Sequence, residues 1–436
     1  MPASLQRVFG DFDFNEIIQK GFSYMLIRGI GLISSYAFTV YVTKTFGASI
    51  FGLFSIAVSI FMIMSIVGKL GLDMHLVKYF SIETNLNDVG LFYRTILKSL
   101  IVASLISWMI FIFRFEIAEN VFENPKPGFV PYLNWILLSI PLWSITLICS
   151  SVSRAQKNIK WFSFISLVSR FVFSLLALYV LLNINHAPIE VAKAHFYGVL
   201  ITAVLALAHT AYNLKVFRLT SQTNSWQFLN KSLPMMLSSS VLILLGWMDT
   251  FVMGVYETDS NVGIYNVCVK VATFTTFTLL AINSILAPKI AKCFYENEVE
   301  KYKRLIRFST KLNFIVSSIV IALILIFNKP ILKIFGDEFV SGTMILIILC
   351  LGQMINSFSG SVGVILQMIG KQMVHQNFVL MALAINLVLT LALTPLYGGI
   401  GAAVATVIGM AFWNLGCAIY LKRKLNITSY FNPFKF

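Results

Sequence analysis

The chain has 436 residues, of which 58% are hydrophobic and 12% charged, and its formal net charge at pH 7 is +15. A soluble chain of this length would divide into roughly two or three domains, and too few charged residues are present to coat their surfaces. Apolar stretches such as 45–68 are long enough to cross a hydrocarbon core of about 30 Å as helices. The composition therefore excludes a soluble protein and predicts an all-α polytopic membrane protein.

The first twenty residues predict a cytoplasmic N-terminal segment at 1–20. They carry Asp11, Asp13 and Glu16, which a cleavable basic leader would lack. Cysteines are scattered through the apolar segments without a CxxC or Cys/His cluster, which predicts small apolar side chains rather than disulfides or metal ligands. They are Cys149, Cys268, Cys293, Cys350 and Cys417.

Hydropathy predicts twelve spans in two halves of six. The spans cover residues 21–43, 49–71, 95–113, 132–153, 161–182, 195–214, 233–256, 262–287, 308–327, 339–366, 373–394 and 399–421. The first six form an N-lobe at 21–217 and the last six a C-lobe at 233–424. A polar cytoplasmic linker at 218–232 joins the lobes, and a cytoplasmic tail follows at 425–436.

Charge distribution predicts the orientation in the membrane. With the N-terminus inside, Lys and Arg concentrate on the cytoplasmic segments, most densely in Lys289–Lys311 and at Lys422, Arg423 and Lys424. The positive net charge then serves orientation and contact with anionic lipid, although Lys289–Lys311 could also pair with a cytoplasmic partner. Nucleic-acid binding is not expected, because no basic arm or interleaved aromatic stripe is present.

An internal repeat occurs at an offset of 211 residues. The segment SIFGLFSIAV (49–58) aligns with SNVGIYNVCV (260–269), so that Gly52 matches Gly263. A shorter similarity relates AQKN (155–158) to IGKQ (369–372). Because each half has an even number of spans, the repeat predicts two lobes related by an axis along the membrane normal.

Asp249 and Lys270 are charged residues inside predicted spans of the C-lobe. A charged side chain at membrane depth costs roughly 2.5–3.5 kcal/mol on insertion scales, so it usually faces a cavity or a partner. The two residues lie at similar depth on consecutive antiparallel spans, which predicts an ion pair. The pair could be a structural link between helices, or it could break during transport while Asp249 takes up a proton or a sodium ion.

Arg28 and Arg170 are the corresponding charges of the N-lobe. Each lies about 13 Å from the predicted cytoplasmic start of its span, with no acidic partner at that depth. Two such guanidinium groups predict a binding site for a phosphate or pyrophosphate, which arginine binds in two-pronged fashion. The alternative is that each side chain extends back to the head groups.

Polar residues of the tenth span are candidates for sugar contacts. Gln353, Asn356 and Gly360 recur at spacings that place them on one helical face, and Gly360 also makes the span easy to bend. Their alternative role is hydrogen bonding between neighbouring helices. The histidines show no metal-ligand spacing, and no cofactor is predicted beyond possible coupling to H⁺ or Na⁺.

Seven motifs occur along residues 20–425. They are GASIFGLFSIAVSI, GKLGLDMHLVKYF, GWMDTFVMG, VGIYNVCVKV, ILAPKIAKCF, LGQMINSFSGSVGVILQMIGK and TPLYGGIGAAVATVIG. In their order and spacing they resemble the oligosaccharide flippases of polysaccharide biosynthesis, within the multidrug/oligosaccharidyl-lipid/polysaccharide exporter superfamily. The resemblance implies a MATE-like fold, with two six-helix lobes around a central cavity that alternates between inside-open and outside-open states. It also implies a lipid-linked saccharide cargo.

Three functions are compatible with the sequence. The first is a flippase that moves a polyprenyl-(pyro)phosphate-linked oligosaccharide, such as an O-antigen, capsule or exopolysaccharide repeat unit, across the cytoplasmic membrane, alone or beside a polysaccharide polymerase. The second is a cation-coupled multidrug antiporter on the same fold, which should favour acidic cavity residues. The third is a membrane glycan polymerase or transferase, for which the outer loops are too short and catalytic motifs are lacking.

Overall fold

The structure is a computed structural model. The residues it describes are 12–82, 88–215, 218–221 and 223–432. They form helices and short helical turns, with no β-strand among them. Residues 1–11 of the predicted N-terminal segment and 433–436 of the predicted tail lie outside the described residues.

Thirteen labelled helices make up the described chain. They are α1 (Phe12–Lys69), α2 (Leu72–Phe80), α3 (Val89–Ile112), α4 (Phe129–Ala155), α5 (Ile159–Ile184), α6 (Glu190–Leu214), α7 (Ser225–Tyr256), α8 (Asp259–Thr273), α9 (Thr276–Tyr295), α10 (Val299–Ile326), α11 (Thr343–Ser359), α12 (Val362–Met368) and α13 (Gln372–Leu425). The shorter turns between them include Asp337–Gly342, and α5 contains a π-helical turn at Phe164–Ser169.

The helices confirm an all-α polytopic membrane protein. Among the described residues, eight helices are long and apolar enough to cross a membrane, or up to ten if each of two bent pairs is one span. Two of the eight are double, because α1 breaks at Gly47 (φ 77°) and α13 at Gly398 (φ 57°). An L side chain rarely adopts such a φ, so glycine is required at both breaks. The predicted number of twelve stays a prediction.

The predicted spans at 262–287 and 339–366 are interrupted. The segment predicted as one span at 262–287 is divided into α8 and α9, which meet at an angle of 42°. The hydroxyls of Thr273, Thr275 and Thr276 donate to backbone carbonyls three residues earlier, which competes with the regular helical hydrogen bonds and favours a bend. The tenth predicted span breaks at Gly360 (φ 72°), which confirms the expectation that this glycine allows a bend.

The two ends of the bundle pack differently. At the end that carries Gly47 and Gly398, named here the Gly47 end, one cluster of buried side chains joins α1, α4 and α6 of the first half to α8 and α11 of the second. At the opposite end, named the Lys69 end, there are two clusters. One lies within the first half and includes the start of α7, and the other lies within the second half. The halves are therefore joined at the Gly47 end and divided at the Lys69 end.

Contact at the Gly47 end follows the internal repeat. A Cβ added to Gly52 of α1 would lie 1.8 Å from the carbonyl oxygen of Asp259, and one added to Gly263 of α8 would lie 2.1 Å from that of Ala48. Ala48 and Asp259 are themselves separated by the repeat offset of 211. Each glycine thus admits the backbone of the other half, and the contact is reciprocal, as between copies related by a two-fold axis.

Two polar contacts reinforce this junction. The ammonium of Lys126, in the segment before α4, donates to the Asp259 carboxylate at 2.5 Å and to the Glu257 carbonyl at 2.9 Å. Across the pseudo-two-fold axis, the backbone N–H of Ala48 donates to Glu338 Oε1 at 2.5 Å. Each half therefore supplies a loop side chain that contacts the first turn of a helix of the other half, and α1 and α8 are held together.

The first turns of α7 pack on the first half at the Lys69 end. The His75 ring of α2 lies flat on Phe228, with ring centroids 3.8 Å apart, and its Nδ1 is 3.1 Å from the Phe228 carbonyl oxygen. Burial lowers the pKa of the His75 imidazole below its usual value, and Lys78 and Lys231 lower it further against the raising effect of this hydrogen bond. A neutral ring suits a flat contact with an apolar face.

Candidate functional site

Arg170 lies at the first turn after the π-helical part of α5, and its side chain is 9% exposed. Its guanidinium is surrounded by aromatic faces, 4.7 Å from the Trp143 ring, 4.6 Å from that of Phe171 and 5.9 Å from that of Phe61. The Nη1 group approaches the sulfur of Met62 at 4.0 Å, and Nε has no hydrogen-bond partner. Within the described part of the chain, no carboxylate pairs with this cation.

Aromatic contact alone does not compensate the Arg170 charge. Cation–π contacts contribute about 0.5–2 kcal/mol each, whereas burying an ion costs several kcal/mol unless hydrogen bonds and an opposite charge replace its water. The neighbouring His195 does not offer an opposite charge, and its Nε2 also lacks a partner. The site is therefore positively charged and short of acceptors.

Lys270 extends from α8 to the other half of the molecule. Its ammonium donates to the carbonyl oxygen of Ser35 at 2.9 Å and to the hydroxyl of Thr39, both on α1. The Tyr36 hydroxyl returns a hydrogen bond to the Lys270 carbonyl oxygen at 2.5 Å. Because Gly31 of α1 packs against Leu167 of α5, Ser35 lies at about the height of Arg170. The Lys270 ammonium on Ser35 and the Arg170 guanidinium are therefore cations of the two halves at a similar height along α1.

The predicted ion pair between Asp249 and Lys270 is wrong. The Lys270 ammonium donates to Ser35 and Thr39 of α1, whereas the Asp249 carboxylate accepts from Tyr265 of α8. Tyr265 and Lys270 are five residues apart, which separates their directions around a helix by about 140°. Lys270 therefore extends from the side of α8 that faces α1, whereas Tyr265 meets Asp249 from another side of α8, so a similar depth does not bring Asp249 and Lys270 together.

Asp249 belongs to a buried polar cluster within the second half. Its carboxylate, 5% exposed, accepts hydrogen bonds from Thr406 at 2.5 Å, from Thr390 at 3.2 Å and from the Tyr265 hydroxyl at 3.5 Å. Asn386 lies next to it, and both polar atoms of that amide lack a partner within hydrogen-bond distance. No lysine, arginine or histidine of the described chain forms an ion pair with this carboxylate.

The chemistry of the cluster suits a proton or a small hard cation. Carboxylate, hydroxyl and amide oxygens are the donors that such ions prefer, and an unpaired buried carboxylate is stabilised by binding either. The described residues contain no cluster of three or more His, Cys, Asp or Glu for a metal such as zinc. The sequence did not predict that Thr390, Thr406 and Asn386 belong to this cluster. Asn386 and Thr390 are four residues apart and so share a helical face, which is the pattern that could have indicated them.

Arg28 lies apart from Arg170. Gly31 packs against the Leu167 carbonyl, since a Cβ there would be 2.5 Å from its oxygen. Because α1 and α5 run in the same direction, Arg28 lies roughly 9 Å nearer the Lys69 end than Arg170. The expected equal depth of the two arginines is therefore not observed, because the contact of Gly31 with Leu167 sets the relative height of α1 and α5.

Gln353 and Asn356 share one face of α11, as expected. The Asn356 amide donates to Gln353 Oε1 at 3.3 Å, and Gln353 is buried while Asn356 is partly exposed. The adjacent Gly352 packs against Val407 of α13. The two amides thus bond to each other, and their proposed contact with sugar stays a prediction.

The sequence and the fold are both similar to those of known proteins. The family described as polysaccharide biosynthesis protein matches residues 17–294, more than half of the chain. The chain belongs to this family. A second family, MatE, matches residues 234–392.

One curated relative of this chain is described as the probable low-salt glycan biosynthesis flippase Agl15 of Haloferax volcanii. It is 27% identical over 231 residues, which cover 53% of this chain and 48% of that protein. The match therefore spans about half the length of the curated relative. The family resemblance inferred from the motifs is confirmed.

Two solved structures are similar in fold. An inward-facing multidrug resistance MATE transporter of the MOP superfamily gives a TM-score of 0.75 at 14% identity, covering 92% of this chain and 98% of that one. The lipid II flippase MurJ, in an inward closed conformation, gives 0.75 at 15% identity, covering 93% and 87%. The predicted MATE-like fold is confirmed, and the relatives are named as flippases and transporters rather than enzymes.

Proposed function

We propose that this protein transports a lipid-linked oligosaccharide across the membrane and binds its phosphate or pyrophosphate between Arg170 and Lys270. The observation that carries the proposal is that each half brings a cation to a similar height along α1, with no carboxylate of the described chain paired to either. An anion is the group that such a site lacks. The name of Agl15 and the family match support a glycan-linked cargo.

Phosphate fits this site better than a carboxylate substrate or a neutral sugar. Arginine presents a planar fork of N–H donors and stays charged when desolvated, and the unpartnered Nε of Arg170 is one such donor. Lysine adds a compact charge that can move, because its side chain is partly exposed. A pyrophosphate can contact both cations at once, while the lipid tail remains in the bilayer and the saccharide occupies the space between the halves.

Binding of the anion would act on the junction between the halves. Lys270 holds α8 against α1 through Ser35 and Thr39. A phosphate that attracts the ammonium weakens these two bonds, so that the cargo favours separation of α8 from α1. The halves are joined at the Gly47 end and divided at the Lys69 end, which is the arrangement from which alternating access would load cargo at the Lys69 end.

The Asp249 cluster supplies a site for the coupling ion. Its buried carboxylate has hydroxyl donors but no basic partner among the described residues, so we propose that it binds H⁺ or Na⁺ during the cycle. Thr406 and Tyr265 connect this site to α13 and α8, and α8 also carries Lys270. Ion binding at Asp249 and anion binding at Lys270 therefore act on the same helix.

We also propose the orientation and the partners expected from the sequence. The protein lies in the cytoplasmic membrane with its Lys69 end and both termini on the cytoplasmic side, which the basic segment Lys289–Lys311 at that end supports. The N-lobe at 21–217, the linker at 218–232 and the C-lobe at 233–424 are the moving units. O-antigen, capsule and exopolysaccharide repeat units are cargo of the required chemistry, and a polysaccharide polymerase is the partner that would use them.

Transport by purified protein in vesicles tests the proposal. The probe is a polyprenyl-pyrophosphate-linked oligosaccharide, and the readout is the rate at which its sugar becomes accessible to a lectin on the opposite side. We expect Arg170→Ala and Lys270→Ala each to reduce the rate by about 30-fold or more, the equivalent of ~2 kcal/mol for a desolvated charge contact. Arg170→Lys should retain part of the activity. Arg154→Ala, at an exposed position, is the matched control. Parental rates in both alanine variants at equal expression would overturn the proposal.

A second candidate is a cation-coupled multidrug antiporter. The MatE match and the uncompensated Asp249 carboxylate favour it. In the same vesicles, a cationic dye such as ethidium should then be exported in a manner that requires Asp249 and is unaffected by Arg170→Ala. Loss of saccharide transport without any dye export selects the flippase.

A further inference from the structure

A crevice of about 590 Å³ opens at the Lys69 end, where the linker between the halves crosses α3. This volume lies within the range of sites for small ligands. The crevice is separate from the cations at the junction of the halves. It is lined by Arg94, Ser221, Thr223, Asn224, Ser225 and Trp226.

Arg94 supplies the positive charge of the crevice. It is partly exposed and makes no hydrogen bond or ion pair within the described chain. Lys98, one helical turn further along α3, donates to the Ser225 hydroxyl at 3.0 Å, and its ammonium lies 3.7 Å from the centre of the Trp226 ring. Lys98 therefore holds the linker in place, while all the N–H donors of Arg94 remain available to a ligand.

The acidic and backbone groups nearest the crevice are already engaged. Asp88 accepts hydrogen bonds from the Tyr79 hydroxyl, the Ser221 hydroxyl and the backbone N–H of Leu91. Asn224 accepts from the first backbone N–H groups of α7. An anion in the crevice would consequently be bound by the Arg94 guanidinium and by the Ser225 hydroxyl, which accepts from Lys98 and keeps its own proton to donate.

The side chains around the crevice are suited to the surface of a bilayer. Trp226 is 65% exposed and Leu219, on the same linker, is 48% exposed. Exposed tryptophan beside basic residues is typical of the head-group level of a membrane. A ligand that combines a phosphate with an apolar tail would satisfy both the cation and these apolar side chains.

We propose that the crevice binds the phosphate head group of a lipid through Arg94. The bound lipid would bridge α3 of the first half and the linker that leads into α7. It would thereby strengthen the attachment of the linker to the first half, which the structure already maintains through Lys98 and Asp88. The head group can come from an anionic membrane phospholipid or from a polyprenyl phosphate that waits near the transport site.

Lipid retention by the full chain tests this site. The protein is placed in nanodiscs of a neutral, phosphate-free glycolipid doped with either phosphatidylglycerol or polyprenyl phosphate, and retained lipid is counted by native mass spectrometry. We expect Arg94→Ala to reduce retention of the phosphate lipid by about tenfold and Arg94→Lys to reduce it less, because lysine keeps the charge but not the fork. Arg304→Ala removes an exposed charge outside the crevice and should retain lipid as the parent does.

The two arms identify the source of the head group. Preference for phosphatidylglycerol assigns a membrane lipid, and preference for polyprenyl phosphate assigns a cargo-like lipid. Equal retention in Arg94→Ala and the parent would overturn the proposal, as would complete competition by inorganic phosphate at the concentration of the lipid. A parental melting temperature of Arg94→Ala excludes misfolding as the cause of any loss. The outcome of this test does not depend on the proposed transport function, because Arg170 and Lys270 are unchanged in every variant.

Discussion

Alanine at Gly52 or Gly263 should separate the two halves at the Gly47 end. The added Cβ of Gly52→Ala would lie 1.8 Å from the Asp259 carbonyl oxygen, and ordinary contact begins at 3.4 Å, so the backbones must move apart by at least 1.6 Å. The neighbours in contact are backbone atoms, which cannot turn aside as a flexible side chain would. The same argument holds for Gly263→Ala against the Ala48 carbonyl, where the Cβ would lie at 2.1 Å.

The expected magnitude follows from overpacking. An extra methyl group in a well-packed contact costs about 1–3 kcal/mol. That cost applies only while the halves are joined, so it shifts the equilibrium toward the separated state by roughly 5- to 150-fold. Because the two glycines meet at one reciprocal contact, the double variant should shift the equilibrium by less than the product of the single shifts.

Distances between spin labels measure this equilibrium. Lys44 on the first half and Ser341 on the second are both exposed near the Gly47 end, and cysteines placed there accept labels in protein reconstituted into nanodiscs. Both alanine variants should move the distance distribution to longer values. Gly246→Ala is the control, because nothing lies within 4 Å of a Cβ at that position. Unchanged distributions in folded Gly52→Ala and Gly263→Ala would refute the reasoning.

Three further outcomes are expected. Asp249→Asn should keep the fold but abolish the dependence of transport on a Na⁺ or H⁺ gradient. The measurement imposes each gradient on vesicles in turn, and a dependence that persists in the variant would contradict the assignment. Asp259→Asn should weaken the contact with Lys126, so that spin labels at the Gly47 end move apart. The change in distance should be smaller than in the glycine variants, because a partly exposed ion pair contributes only about 1 kcal/mol. Gly360→Ala should lower the melting temperature by several degrees, because its φ of 72° is strained for alanine and its Cβ would lie 2.4 Å from Thr310 Oγ1, whereas Gly246→Ala should leave it unchanged.

Much of the fold was accessible from composition and hydropathy. Apolar length predicted helices at membrane depth, and glycine predicted the bend at Gly360. The repeat that relates Gly52 to Gly263 predicted two equivalent halves, and the reciprocal contact between these residues is consistent with that symmetry. These features could be predicted because they depend on the chain itself, on the solvent that each segment requires and on the φ that each residue tolerates.

The charged residues within the apolar segments can be listed from the sequence, since a charge in an apolar run is evident from composition. Their partners cannot be identified in this way. Residue counting gives the approximate height of a side chain along a helix but neither its direction around the helix nor the helix that it meets. Lys270 was therefore expected to face Asp249 and instead bonds to α1, while Asp249 bonds to threonines more than a hundred residues away. The sequence by itself determined which charges lie within apolar helices, and the packing of α8 against α1 decided which partner Lys270 meets, because direction around a helix is set by the helices that surround it.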